Sequence, residues 1–359
     1  MKIGIVTNSI SGGGAERQAA QWAAVIAGWP DAQLEVLSVH ESDESYAVPD
    51  GVSMSYAGKR HAADVVRVAR AIRRFARRMD VVIAFQPYPA IFCIGLRVPV
   101  LLVTGDDPRY HWDASGVPNR VIDAAFRNAA GASAPTPELI DCYRGLGIET
   151  RGAWHCVPNI VDAAGYATAP PGERAGVLFV GRLEDEKDPL LAVDVCVRAG
   201  AALTFLGDGT MREQVQVRGA GHDVRLPGFT AHPWEQYARS RALIVTSRNE
   251  AFGNVIVESL AAGTPVVSVD CDFGPRHVLA GARFSDVVDS RDPAVLADAL
   301  RSVLDRPYGE DEERECREIA ARYSPQAVEP LIREAVAATL TGPRVGRVAA
   351  VRRGRSRRA

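Results

Sequence analysis

The sequence predicts an α/β protein built from two Rossmann-like domains. Three observations carry this. Short apolar runs of strand length alternate with helical stretches as far as about residue 325, which implies parallel sheets. The alternation is interrupted once, at Val157-Pro158-Asn159-Ile160-Val161-Asp162, and then restarts. The chain has 359 residues, more than the roughly 250–300 that a single core usually reaches.

Residues 2–7 (KIGIVT) read as a buried strand, Gly12-Gly13-Gly14 break the chain, and a helix follows from about Ala15 to Ala27. A second strand lies at 34–39. Residues 64–78 form an amphipathic helix with Val65, Val68, Ala69, Ile72 and Phe75 on one face. Strand 81–85, a helical stretch near 89–95, strand 98–104 and a helix around 117–129 complete the first half. In the second half, strand 177–181 leads to a helix at 189–199 with Asp188 as N-cap and Pro189 at its first position. Strand 202–207 precedes a capping box, Thr210-x-x-Glu213. Strand 224–228, a helix near 233–240 and strand 242–247 come next. Asn254 is expected to cap a helix that runs to about 262 and stops at Gly263, before strand 265–270. A last helix, 325–340, has no strand after it. The expected division is 1–157, 158–325, a helix at 326–340, and an Arg-rich disordered tail at 341–359.

Hydrophobic residues make up 47% and charged residues 24%, which excludes a wholly disordered, collagen-like or coiled-coil chain. Only three of the 42 basic residues are lysines: Lys2, Lys59 and Lys187. The arginine excess reads as compositional drift, so a lysine retained inside a motif stands out. The net charge of −2 hides an asymmetry: residues 341–359 carry seven arginines and no acid, leaving −9 for the body. An acidic body argues against nucleic-acid binding. No run of about 18 apolar residues occurs, and the N-terminus enters a strand at once without a signal-peptide core. A cytoplasmic chain is the expectation. The six cysteines show no CxxC, zinc or disulfide spacing, and the seven histidines no HExxH or HxH cluster. No metal or cofactor is expected.

Three segments carry chemistry. The strand–glycine loop–helix at 3–27 presents free amides and a positive helix end at a sheet edge, where either an anion binds or the chain simply turns. It is not a dinucleotide fingerprint, because Arg17 stands where the third glycine of Gly12-x-Gly14-x-x-Arg17 would be. The second segment is Gly181-Arg182-Leu183-Glu184-Asp185-Glu186-Lys187. Arg182 and Lys187 leave a strand's C-terminal edge and either neutralise a diphosphate or pair with the adjacent acids. The third is Glu250-Ala251-Phe252-Gly253-Asn254-Val255-Ile256-Val257-Glu258. Glu258 sits among apolar neighbours, where a carboxylate is costly without donors. Those donors are either sugar and ribose hydroxyls or a structural cation.

The Glu-x7-Glu segment, followed by Ser259-Leu260-Ala261-Ala262-Gly263-Thr264-Pro265 and then Gly274-Pro275-Arg276, resembles retaining glycosyltransferases of family 4, which have the GT-B fold. Gly13-Gly14-Ala15-Glu16-Arg17, Asp106-Asp107-Pro108, the Val157–Asp162 segment, Gly181-Arg182-Leu183 with Lys187, Leu206-Gly207-Asp208-Gly209 and Pro227-Gly228-Phe229 extend the match in order over residues 1–340. The resemblance implies two facing domains, with the last helix returning to the first. The C-terminal domain would bind a nucleoside diphosphate sugar, uridine favoured over guanosine, and the N-terminal domain a hydroxyl acceptor that is a glycan, lipid-linked or a natural product. Arg182 and Lys187 would hold the diphosphate, Glu258 the ribose, and Gly228-Phe229 would lie near the base. Glu250 and the amides of Phe252, Gly253, Asn254 and Val255 would meet sugar and phosphate, with Gly13 and Gly14 approaching from across the cleft. Glu250, Arg182 and Lys187 would be catalytic in hexosyl or N-acetylhexosaminyl transfer, without a divalent metal.

Asp107 and His111 are acceptor-side by position. Asp270-Cys271-Asp272 has the spelling of a metal motif but reads as a turn. The arginines opposite the apolar face of helix 64–78 (Arg67, Arg70, Arg73, Arg74, Arg77 and Arg78), with the tail, are either solvated or rest on an anionic inner leaflet. Competing readings are a nucleotide-sugar epimerase, an NAD-dependent oxidoreductase, which the altered glycine frame opposes, and a non-catalytic binder of anionic surfaces.

Overall fold

The computed structural model describes residues 1–41, 46, 48–59, 61, 64–109, 118–163, 174–230 and 233–342. His111 and the tail from residue 343 onward lie outside them.

Two parallel sheets form. The first holds β1 (Lys2–Thr7), β2 (Gln33–Ser38), β3 (Ser53–Tyr56), β4 (Val81–Phe85), β5 (Val100–Val103), β6 (Gly131–Ala134) and β7 (Trp154–Cys156), in the order β3-β2-β1-β4-β5-β6-β7. The second holds β8 (Val177–Val180), β9 (Leu203–Leu206), β10 (Val224–Gly228), β11 (Ala242–Val245), β12 (Val266–Val269) and β13 (Asp286–Val288), in the order β10-β9-β8-β11-β12-β13. Parallel strands need helical crossovers on both faces, so their residues are buried on both sides.

Alternation assigns each side chain to one of two cores per domain. In β1 and β4, Ile3, Ile5, Val81 and Ile83 face a core with Trp22 and Ile26. Val6, Val82 and Ala84 face the opposite core, with Val68, Ile72 and Phe75 from the helix Val65–Ala76. In the second sheet, Val177, Phe179 and Ile244 face Val193 and Leu300, while Leu178, Leu243 and Val245 face Ile256 and Leu260.

The last helix, Pro325–Thr341, starts at Ser324, whose side chain accepts the amide of Ala327. Its buried residues Val328, Ile332, Ala335 and Val336 join the core that contains Ile3 and Trp22, so the chain ends on the domain where it began. The two segments that cross between domains run side by side, and the amide of Val161 donates to the carbonyl of Tyr323 at 2.9 Å.

Two local expectations need correction. The capping box does not form: the helix Arg212–Arg218 is preceded by Met211 without a side-chain cap. Glu184 instead accepts from the Thr210 amide (2.9 Å) and hydroxyl (2.6 Å), because the loop after β8 folds over this turn. Those hydrogen bonds hold the Glu184 carboxyl below its ordinary pKa. At the second site, Gly253 and not Asn254 is the cap. Its φ of 87° is a left-handed conformation that suits glycine, and Asn254 becomes the first helical residue.

Candidate active site

In each sheet the strand order reverses at the first strand, between β1 and β4 and between β8 and β11. Ligands of open α/β sheets bind beyond the C-terminal strand ends at such points. The loops that leave those ends enclose two adjoining cavities between the domains. The larger, about 670 Å³, is lined by Gly12–Gly14, Arg17, Gly181, Arg182, Phe229 and Glu258 among others. The smaller, about 230 Å³, is lined by residues that include Gln86, Asp106, Asp107, Arg182, Glu250 and Asn254.

Two helix N-termini meet across this cleft. One begins the helix Gly14–Ala27 after β1, and the other begins the helix Asn254–Ala261 after β11. A methyl placed on Gly14 would lie 3.4 Å from Nδ2 of Asn254. Unpaired amides and the positive helix ends make the space between them attractive to an anion.

The charged residues fall into pairs. Lys187 Nζ donates to Glu250 Oε1 at 2.6 Å, and the Ser247 hydroxyl donates to the same oxygen at 2.9 Å. Burial alone would lower the Lys187 pKa. The charge and hydrogen bond of Glu250, with help from Glu186, outweigh it and hold the ammonium above its ordinary range. Arg182 is largely exposed and reaches Glu186 at 2.9 Å. The loop that carries both cations is pressed close to the next one: a Cβ on Gly207 would lie 1.9 Å from the Gly181 carbonyl oxygen.

Glu258 is only 4% exposed. Its Oε2 accepts from the Tyr237 hydroxyl at 2.9 Å, and its Oε1 from Arg17 of the other domain at 2.5 Å. The proposed ribose carboxylate therefore lines the larger cavity while holding a cation from across the cleft. Phe229 stands 82% exposed on the same cavity. Phe252, by contrast, is 2% exposed and packs edge-on against Tyr323 at 5.2 Å, so only its backbone can serve a ligand.

Asp107 is buried and accepts from the Arg109 amide (2.9 Å) and guanidinium (2.7 Å) and from Asn249 Nδ2 of the other domain (2.7 Å). Arg109 continues to Asp272 at 2.5 Å. The structure thus places Asp107 in a clamp between the domains. Asp270 pairs with Arg276 and Asp272 with Arg109, so both carboxylates of that spelling are engaged.

Sequence reasoning assigned no site role to Arg17, Asn159 or Gln86. Asn159 Nδ2 donates to Asn254 Oδ1 at 3.0 Å and fixes the start of the second helix. Gln86 ends β4 with a φ of 73° and precedes Pro87. The signal that could have marked it is an amide at the C-terminal end of a buried strand beside the switch point.

Residues 167–323 match the family model described as "Glycosyl transferases group 1". Glycogen synthase of Mycobacterium tuberculosis is 36% identical over 42% of this chain and 40% of its own length. D-inositol 3-phosphate glycosyltransferase of Kineococcus radiotolerans is 31% identical over 57% of this chain and 55% of its own. The chain thus spans about half the length of the curated relatives it matches. The crystal structure of Anabaena Alr3699/HepE in complex with UDP superposes with a TM-score of 0.74 over 94% of this chain and 100% of that one, at 17% identity. That likeness speaks for the fold. Two facing parallel-sheet domains, a helix that returns to the first of them and the matched span together identify this chain as a GT-B protein whose C-terminal domain belongs to the group 1 glycosyl transferases.

Proposed function

We propose that the chain is a retaining glycosyltransferase that moves a hexosyl or N-acetylhexosaminyl group from a nucleoside diphosphate sugar to an acceptor hydroxyl. The observation that carries this reading is the pair of helix N-termini at Gly14 and Asn254 facing each other beside Arg182, Lys187 and Glu258. Amides and cations suit a diphosphate. A buried carboxylate at hydrogen-bonding distance suits neutral hydroxyl donors such as those of ribose. A uridine donor is supported by the UDP bound in the HepE crystal structure, with guanosine as the other base to test.

In this arrangement Arg182, Lys187 and the amides of Gly253–Val255 hold the diphosphate, with Gly13 and Gly14 on its other side. Ribose hydroxyls donate to Glu258, taking the place of Arg17 on Oε1, and Phe229 offers a face for the base. Glu250 Oε1 is occupied by Lys187 and Ser247, which leaves Oε2 for a sugar hydroxyl. The bond from sugar C1 to phosphate oxygen breaks, and the bond to the acceptor oxygen forms on the same face. The acceptor proton passes to the departing diphosphate, whose growing charge Lys187 and Arg182 neutralise.

The exposed arginines of the helix Val65–Ala76 lie beside exposed Val65 and Val66, at 48% and 57%. This face supports contact with an anionic membrane. No helix among the described residues is long and apolar enough to cross one.

The direct test is release of UDP, GDP or ADP from a panel of nucleotide sugars without acceptor, followed by the anomeric configuration of a transferred product. Thermal stabilisation by NAD⁺ alone, or an inverted product, would overturn the reading. Sedimentation with vesicles of phosphatidylcholine, with and without phosphatidylglycerol, tests the membrane contact, and equal pelleting with both would remove it.

A further inference from the structure

The smaller cavity speaks to the acceptor, an inference that rests on the transferase reading. Its described lining brings together the carboxylates of Asp106, Asp107, Glu186 and Glu250 with the side-chain amides of Gln86 and Asn249. Arg182 is the one cation among those lining residues, and it adjoins the larger cavity as well. The other cations close by are committed: Lys187 to Glu250 at 2.6 Å, and Arg109 to Asp107 and Asp272 at 2.7 and 2.5 Å. Lys59, on the outer part of the same sheet edge, is stacked on the Tyr88 ring and does not line the cavity.

Gln86 adds an independent observation. It holds an unfavourable backbone conformation, φ 73°, at the end of β4, and a non-glycine residue kept in that region is characteristic of binding sites. Its Oε1 is buried with no hydrogen-bond donor, a costly state that a donor from a ligand would relieve. The acidic surroundings extend to the adjacent helix. Burial, reinforced by the charge of Asp106, holds the Glu16 carboxyl above its ordinary pKa.

We propose that the smaller cavity receives the reacting end of the acceptor, and that this end is an uncharged, hydroxyl-rich group rather than one bearing phosphate or carboxylate. Hydroxyls supply the donors that Gln86 and the carboxylates lack, whereas an anion would meet four carboxylates and one cation that the donor diphosphate also needs. The relatives named for D-inositol 3-phosphate carry a phosphorylated acceptor in their name, and this cavity separates the present chain from that class.

The test uses the full chain with whichever nucleotide sugar it hydrolyses. Glycerol, glycerate and glycerol phosphate are offered at equal concentration and ionic strength, and the glycosylated products are measured by mass spectrometry. Capture by glycerol is expected to exceed capture by either anion at least tenfold. The substitution Gln86→Lys, which adds a cation to the wall, is expected to narrow that gap for glycerol phosphate, and Gln86→Ala to reduce glycerol capture with less effect on hydrolysis. Equal or greater capture of an anion, or no preference among the three, overturns the proposal. Failure to hydrolyse any nucleotide sugar, with no binding of UDP, overturns the transferase reading itself.

Discussion

Arg17 of the N-terminal domain and Glu258 of the C-terminal domain form a 2.5 Å ion pair across the cleft, with Tyr237 completing the carboxylate's shell. The same carboxylate lines the cavity proposed for the nucleoside. Arg17 and a ribose therefore compete for one oxygen, and nucleotide binding is coupled to how the two domains face each other.

Glu258→Ala should weaken UDP binding by ten- to a hundred-fold, about 1.5–3 kcal/mol for hydrogen bonds to a charged group. Pyrophosphate, which has no ribose, should lose much less. Calorimetric titration of both ligands checks this, and equal losses would remove the ribose assignment.

Lys187→Ala should lower kcat by about a hundred- to a thousand-fold, the usual effect of losing one group that stabilises departing charge. Steady-state kinetics with saturating donor measures it, and a change confined to KM would contradict the role.

The Lys187–Glu250 pair also sets a pH dependence. Raised above the unfolded lysine value, the Lys187 pKa keeps its contribution complete below about pH 10, to be lost only as pH climbs through the raised value. UDP affinity should show no alkaline limb from this group between pH 7 and 9. In Glu250→Gln the burial that lowers the pKa is no longer opposed, and the limb should move to lower pH. Affinity profiles that superpose for the two proteins would be inconsistent with this.

Two phenylalanines separate packing from recognition. Phe252→Ala should cost about 3–5 kcal/mol of stability, the usual range for a buried aromatic, because the ring is enclosed against Tyr323. Phe229→Ala should leave the melting temperature nearly unchanged, since the ring is 82% exposed, yet reduce UDP affinity several-fold. Thermal melts and titrations on both variants distinguish these outcomes.

Gly253→Ala forces a side chain into φ 87° and places its Cβ 2.8 Å from Ile256 Cδ1. Strain of about 1–3 kcal/mol is expected, shifting the amides that open the second helix. Donor hydrolysis should fall more than stability, as parallel assays would show.

Much of this arrangement was legible in the sequence because buried parallel strands are written as apolar runs, and because glycines punctuate the loops where ligands bind. KIGIVT and VVIAF announce β1 and β4, and Asp188-Pro189 announces a capped helix that does form. The strands that escaped notice have other compositions. Ser53–Tyr56 is a mostly exposed edge, Gly131–Ala134 is made of small residues, and Trp154–Cys156 and Asp286–Val288 are three residues each. At the site, Lys187, Glu250 and Glu258 stood out singly, but their partners did not. Arg17 lies 241 residues from Glu258 and Lys187 lies 63 from Glu250. Such pairs are set by which strand ends the fold brings together, and no local pattern encodes them. Thr210 shows the converse: a valid capping box was outcompeted by a carboxylate from a neighbouring loop.

The hydrogen bond from Val161 to Tyr323 gives the molecule a modular character. Because the outgoing and returning segments touch, everything between them is a cassette inserted into the first domain, with its two ends held together at the joint. The cassette can turn about that joint as one body while the rest of the chain keeps its own closed core. It could also be exchanged for the corresponding span of a relative at two adjacent junctions, carrying its nucleotide preference with it and leaving the acceptor's half of the cleft in place.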